Sequence, residues 1–124
     1  MSYSLIDTPN VPFLERYLDL TTYRQTLLAA NVANIDTPGY QTRDVAFQGE
    51  LAYASLVEYR EPLRPFARAV QGLMVRPDGN NVSLDREARL LAENDLRFNI
   101  ASNLMRGQIK TLRMAIDGGG SSSS

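Results

Sequence analysis

The chain has no cysteine, no histidine and no tryptophan. Without cysteine there is no disulfide framework, no thiolate zinc site and no thiol nucleophile. Without histidine the commonest general base and the commonest metal ligand are both missing. Hydrolytic triads, histidine-dependent metal sites and thiol redox chemistry are therefore excluded, and no cofactor, metal or small-molecule substrate is expected. An excess of charge is lacking too: 13 basic and 14 acidic side chains give a net charge of −1. All the cations but Lys110 are arginines, scattered from Arg16 to Arg113. A nucleic-acid binder needs massed cations against phosphate, and that pattern is not here. No long apolar run occurs. The longest mostly apolar stretch, Leu27 to Ala33, is far too short to span a bilayer. The opening MSYSLIDTPN has neither a basic nor an apolar segment of the secretory kind, so no cleaved signal is expected.

What is present is helical periodicity at both ends of one domain, residues 1–117. A first helix is expected over about 13–35. Leu14, Leu18, Thr21, Gln25, Leu28, Val32 and Ile35 alternate spacings of four and three, which puts them on one face. Pro9 and Pro12 stand where proline suits a helix start. The helix must stop near Asp36, because Pro38 pushes Thr37 out of the α region. Pro38-Gly39 then supplies the central pair of a type II turn.

A second helix is expected over about 84–116. Leu84, Leu91, Phe98, Met105 and Leu112 recur every seven residues, and a second column ends in Ile116. Ser83 or Asp85 can cap it. Asp85–Arg89 and Glu93–Arg97 have the spacing of helix-stabilising ion pairs. Gly107 is out of place in a helix interior and costs roughly 1 kcal/mol against alanine.

The connecting segment, 36–83, is loop-rich. Phe47, Leu51 and Ala54 suit a short helix, Pro62 and Pro65 interrupt the chain, and there is room for a hairpin. Asp78-Gly79-Asn80-Asn81 fails as a calcium loop, since Ser83 stands where glycine is needed and Arg89 where glutamate is. It reads as a turn into the following helix. The stretch from Gly118 to Ser124 reads as a flexible tail. The fold class is thus mainly α.

Two helices of about 35 and 50 Å cannot cover each other, and about 15 Å of the longer one overhangs. A chain this short has little else with which to close a core, so its stripes need other chains. Such stripes suit a coiled-coil dimer or a helical polymer equally. Asn31 and Asn34, three apart near the end of the first helix, either terminate it or hold register against a neighbouring chain. Spacing alone favours termination.

The run ANVANIDTPGY, residues 30–40, strongly resembles the N-terminal signature of the bacterial flagellar rod and hook family, and lies where that family has it. DGNNVSLDREARLLAEND, residues 78–95, is similar to the basal-body rod proteins of the proximal rod. The resemblance spans about residues 10–116. It implies a structural, non-enzymatic rod subunit in the periplasmic part of the basal body, exported unfolded by the flagellar type III apparatus. It implies terminal helices packed in coiled-coil-like layers and head-to-tail polymerisation with itself and other rod subunits. A membrane-ring adaptor at the rod base is the further implied partner. The signature residues Asn31, Asn34, Asp36, Thr37, Pro38, Gly39 and Tyr40 carry, by resemblance, a structural and interface role. The seam residues Leu14, Leu18, Leu28, Val32, Leu84, Leu91, Phe98, Met105, Leu112 and Ile116 are expected at helix interfaces. A coiled-coil adaptor or export chaperone is the competing reading. An enzyme is the weakest, because histidine, cysteine and a facing carboxylate pair are all missing.

Overall fold

A computed structural model describes residues 11–56 and 64–121. Pro9, Pro62 and the last three serines lie outside the described residues. In chain order the elements are helix α1, Val11–Ala33; strand β1, Arg43–Val45; helix α2, Phe47–Leu56; strand β2, Ala67–Ala69; and helix α3, Leu84–Ser121. The fold is mainly helical, with the long terminal helices packed on each other. The strands form an antiparallel pair in which Arg43 faces Ala69 and Val45 faces Ala67. The room left for both a short helix and a hairpin is therefore filled by both.

α1 and α3 run antiparallel. Asn31 meets Glu87 and Thr21 meets Asn94, while Leu14 and Ala101 line one cleft. α3 has 38 residues, about 57 Å, against 23 residues and about 35 Å for α1. From about Met105 onward α3 runs past the start of α1. This overhang is nearer 25 Å than the expected 15 Å, because α3 continues to Ser121 through the start of the glycine/serine run. That run therefore begins as helix and not as a separate tail.

Ser83 caps α3, its Oγ accepting from the Arg86 N–H at 3.3 Å. Asp85 and Glu87 then sit in the first turn, where the helix dipole favours anions. Within this helix Arg86 pairs with Glu87 at 2.7 Å and Arg89 with Glu93 at 3.8 Å, in place of the expected Asp85–Arg89 and Glu93–Arg97 pairs. The core is small: Leu20, Val45 and Phe47, with Tyr17, Tyr23, Leu27 and Leu51 packed around them. Tyr17 stands edge-on to Phe47 with centroids 5.5 Å apart, and the Arg97 guanidinium lies 4.5 Å from the Phe47 centroid.

The buried stripes are not the leucine columns. On α1 the buried residues are Arg16, Leu20, Thr21, Arg24, Leu28 and Asn31. Of the expected seam, Leu28 is buried, while Leu14, Leu18 and Val32 are half-buried. On α3 the buried residues include Glu87, Leu90, Asn94 and Ala101. Leu91 and Met105 are half-buried, whereas Leu84, Phe98, Leu112 and Ile116 are exposed. The rotation has a polar cause. Arg16 turns inward to the Ala54 carbonyl, Arg24 to Asp44, and Glu87 to Asn31. Inward charges with partners displace the leucines that periodicity alone would place there.

Candidate functional site

The signature segment forms one wall of a polar joint between the end of α1 and the start of α3. Helix α1 ends at Ala33, and Asn34 donates from Nδ2 back to the Ala30 carbonyl while its Oδ1 accepts from Thr37. Asn34 is thus a helix terminator. The Tyr40 N–H donates to the Thr37 carbonyl at 3.2 Å, and Gly39 has φ +74°. Both features belong to the expected type II turn. Asp36, Thr37, Pro38 and Gly39 are exposed on it.

The other wall is the turn at Asp78–Asn81. Asp78 Oδ1 accepts from the Asn80 N–H, and Gly79 has φ +86°. The two turns lie back to back: the Gly39 N–H donates to the Asp78 carbonyl at 2.9 Å. A Cβ on Gly79 would stand 3.2 Å from the Gly39 Cα. Asn80 ties the walls, donating from Nδ2 to the carbonyls of Asn34 and Thr37. Asn81 Oδ1 accepts from the Thr42 N–H at 2.6 Å, and Arg76 donates to the Ile35 and Val82 carbonyls.

Asn31 is the centre of the joint and is 0% exposed. Its Nδ2 donates to the Arg43 carbonyl and to Glu87 Oε2, at 2.9 and 3.0 Å. Its Oδ1 accepts from the Tyr40 hydroxyl and the Arg43 N–H. Its amide is spent inside the chain, on neither of the two roles its spacing suggested, termination of α1 or a bond to a neighbouring chain: it sets the register of α1 against α3 within one subunit. Tyr40 completes the arrangement. Burial raises its pKa, Arg43 opposes that and Glu87 adds to it, so the hydroxyl keeps its proton and donates.

Behind Asn31 runs a buried charge chain. Arg24 grips Asp44 with two hydrogen bonds, at 3.0 and 2.9 Å. Arg86 bridges Asp44 and Glu87, at 2.7 Å to each. Burial alone would raise the Asp44 carboxyl. The hydrogen bonds from Arg24, the Val45 N–H and Arg86, with the Arg24 charge, outweigh it and hold the carboxyl below its ordinary value. Arg24, Asp44, Arg86 and Glu87 are not among the site residues the sequence suggested, and Asn80 and Asn81 were read only as part of a turn. Their one local signal was the asparagine-rich turn beside the α3 cap.

The joint satisfies almost all its polar groups internally, Thr42 Oγ1 being an exception. It presents no open carboxylate pair. Among the described residues no group of three or more acidic side chains is placed to hold a metal, and no helix is long and apolar enough to cross a membrane. What the arrangement does is fix the angle and register of two long helices. Of the other seam residues, Leu84, Phe98, Leu112 and Ile116 stay exposed on α3.

Comparison with known proteins gives the same emphasis. Residues 21–41, α1's second half and the turn, match the family described as flagella basal body rod protein. The chain is 33% identical to the flagellar basal body rod protein FlgB of Salmonella typhimurium, over 86% of this chain and 92% of that one. It is 32% identical to the FlgB of Escherichia coli over the same shares. To the FlgB of Borreliella burgdorferi it is 27% identical, over 86% of this chain and 95% of that one.

Proposed function

The chain belongs to the flagellar basal body rod protein family, and from that membership we propose that it is a structural subunit of the proximal rod of the bacterial flagellar basal body. It polymerises through its terminal helices into the axial rod that transmits torque and conducts later export substrates. The observation that carries this reading is the geometry of α3. One end is locked into the joint, while the overhanging end exposes Leu112, Met114 and Ile116. A single subunit does not cover that apolar surface with α1, and a repeating helical layer does. Its partners on this reading are copies of itself, other rod subunits and the membrane-ring adaptor at the rod base. The subunits reach the periplasm through the flagellar type III apparatus. The exposed turn at Asp36–Gly39 and the seam residues of α3 are the surfaces that meet neighbouring subunits.

The deciding experiment is electron microscopy of basal bodies from a strain lacking the gene, with the gene supplied on a plasmid as control. Membrane rings without a rod, restored by the plasmid, are expected. Complete rods and hooks in the deletion strain would refute the reading and return the adaptor or export chaperone to first place.

A further inference from the structure

We propose that the outer face of α1 is the docking surface for the overhanging half of α3 from a second copy, matched in charge and in register. This rests on the rod-subunit reading. α1 has four charged side chains, and they divide by sign: Arg16 and Arg24 are buried, while Glu15 and Asp19 are exposed. Glu15, Asp19, Thr22 and Thr26 follow heptad spacing and form one exposed stripe. The overhang of α3 carries the opposite sign. Arg106, Lys110 and Arg113 are exposed, and no acid intervenes before Asp117. Glu15, Asp19, Lys110 and Arg113 make no ion pair with any other described residue.

The stripes have the same length. Residues 15, 19 and 22 and residues 106, 110 and 113 each span two helical turns on one face. Laid antiparallel, as α1 and α3 already lie within one chain, Arg113 meets Glu15, Lys110 meets Asp19 and Arg106 meets Thr22. Leu14 sits beside Ala101 within one chain. The second copy is therefore displaced by about 20 Å along the helix axis, and the contact repeats without closing.

A second observation points to the same place. Asn94 is 2% exposed, and its Oδ1 has no hydrogen-bond partner among the described residues. Its Nδ2 is already committed, to the Thr21 carbonyl and Gln25 Oε1. Asn94 lines a cleft of about 270 Å³ with Thr22, Thr26, Asp95 and Phe98. The exposed Asp95 carboxylate at that cleft calls for a cationic donor. In the pairing above, Arg106 arrives opposite Thr22, at the mouth of that cleft. A guanidinium there can pair with the exposed Asp95 carboxylate while its plane lies against Phe98.

The absence of native cysteine makes the test clean. Asp19→Cys and Lys110→Cys full-length chains, one of them epitope-tagged, are co-expressed in cells deleted for the gene. The expected result is swimming cells in which oxidation yields a disulfide between the two variants, and no such dimer with either variant alone. Swimming cells with no mixed dimer, from this pair and from Glu15→Cys with Arg113→Cys, would overturn the docking while leaving the rod reading intact. Cells that swim with no copy of the gene would overturn the rod reading and the docking with it. Charge reversal gives a second readout: Asp19→Lys should lose swimming and Lys110→Asp in the same chain should recover it. Undiminished swimming with Asp19→Lys alone would overturn the pairing.

Discussion

At its N-terminal end α3 is surrounded by polar groups that find their partners in the same chain: Glu87 on Arg86 and Asn31, Asp44 on Arg24 and Arg86, Asn80 on the signature turn. At its C-terminal end the same helix exposes Leu112, Met114 and Ile116 beside three cations that lack acidic partners among the described residues. The contrast separates two tasks. The joint stores the information that fixes how α1 leaves α3, and it does so with directional bonds that tolerate few alternatives. The overhang instead leaves apolar area and charge that the described residues of the same chain do not satisfy, and on the proposed reading these serve association. Damage to the first should therefore appear as lost stability of the single subunit. Damage to the second should appear as lost assembly.

The largest expected effect is at Asp44. Asp44→Ala leaves the guanidiniums of Arg24 and Arg86 in a buried site without their shared carboxylate, and should cost about 3–5 kcal/mol of folding stability. Urea unfolding of the isolated chain measures it. A loss below about 1 kcal/mol would mean that the joint does not anchor the fold. The same carboxylate sets a pH dependence. Its folded pKa lies below the ordinary value of 3.8, so its contribution is complete above that value and is lost as pH falls through the folded pKa. Acid unfolding should therefore steepen below about pH 4, and Asp44→Asn should flatten that limb. An unchanged acid limb in Asp44→Asn would assign the titration elsewhere.

Asn31→Leu should cost less, about 1–3 kcal/mol, because Glu87 keeps Arg86 and the Arg43 N–H is the main group left without a partner. The glycine turns sharpen the comparison within the joint. Gly39 and Gly79 both have positive φ, but a Cβ on Gly39 meets nothing within 4 Å. Gly39→Ala should cost about 1–2 kcal/mol, the backbone strain alone. Gly79→Ala should cost more, since its Cβ presses on the Gly39 backbone. Equal losses from the two, by thermal or urea unfolding, would show that the turns are not packed back to back.

The overhang was far more legible in the sequence than the joint. Local chemistry marks helix ends, so α1 and the start of α3 fall within a few residues of where periodicity and capping put them. The Pro38-Gly39 turn forms as its dihedral demands require. Phe47 opens the short helix expected there. The joint was opaque because its parts are far apart in the chain: nothing local pairs Gly39 with Gly79, or Arg24 with Asp44 and Arg86. Hydrophobic periodicity also assumes that charges face out. Arg16, Arg24 and Glu87 break that assumption by carrying partners inward, which rotates both buried stripes away from the leucine columns. Those columns are consequently left exposed at Leu84, Phe98 and Leu112.

The smallest expected effect on stability, and the sharpest test of the contrast, is at the far end of α3. Leu112 is 44% exposed and Ile116 65% exposed, both beyond the reach of α1. Leu112→Asp should leave the urea midpoint of the isolated chain within about 0.5 kcal/mol of the unaltered protein, because little is buried there to lose. In the assembled layer the same carboxylate would be taken out of water without a designed partner, a cost large enough to stop incorporation. Basal bodies from cells carrying Leu112→Asp should therefore lack rods although the subunit folds. Asp44→Ala should remove rods only in proportion to the loss of folded subunit. If Leu112→Asp assembled normally, the exposed column would be ordinary surface, and the contacts that build the layer would lie on the half-buried residues nearer the joint, Leu91 first among them.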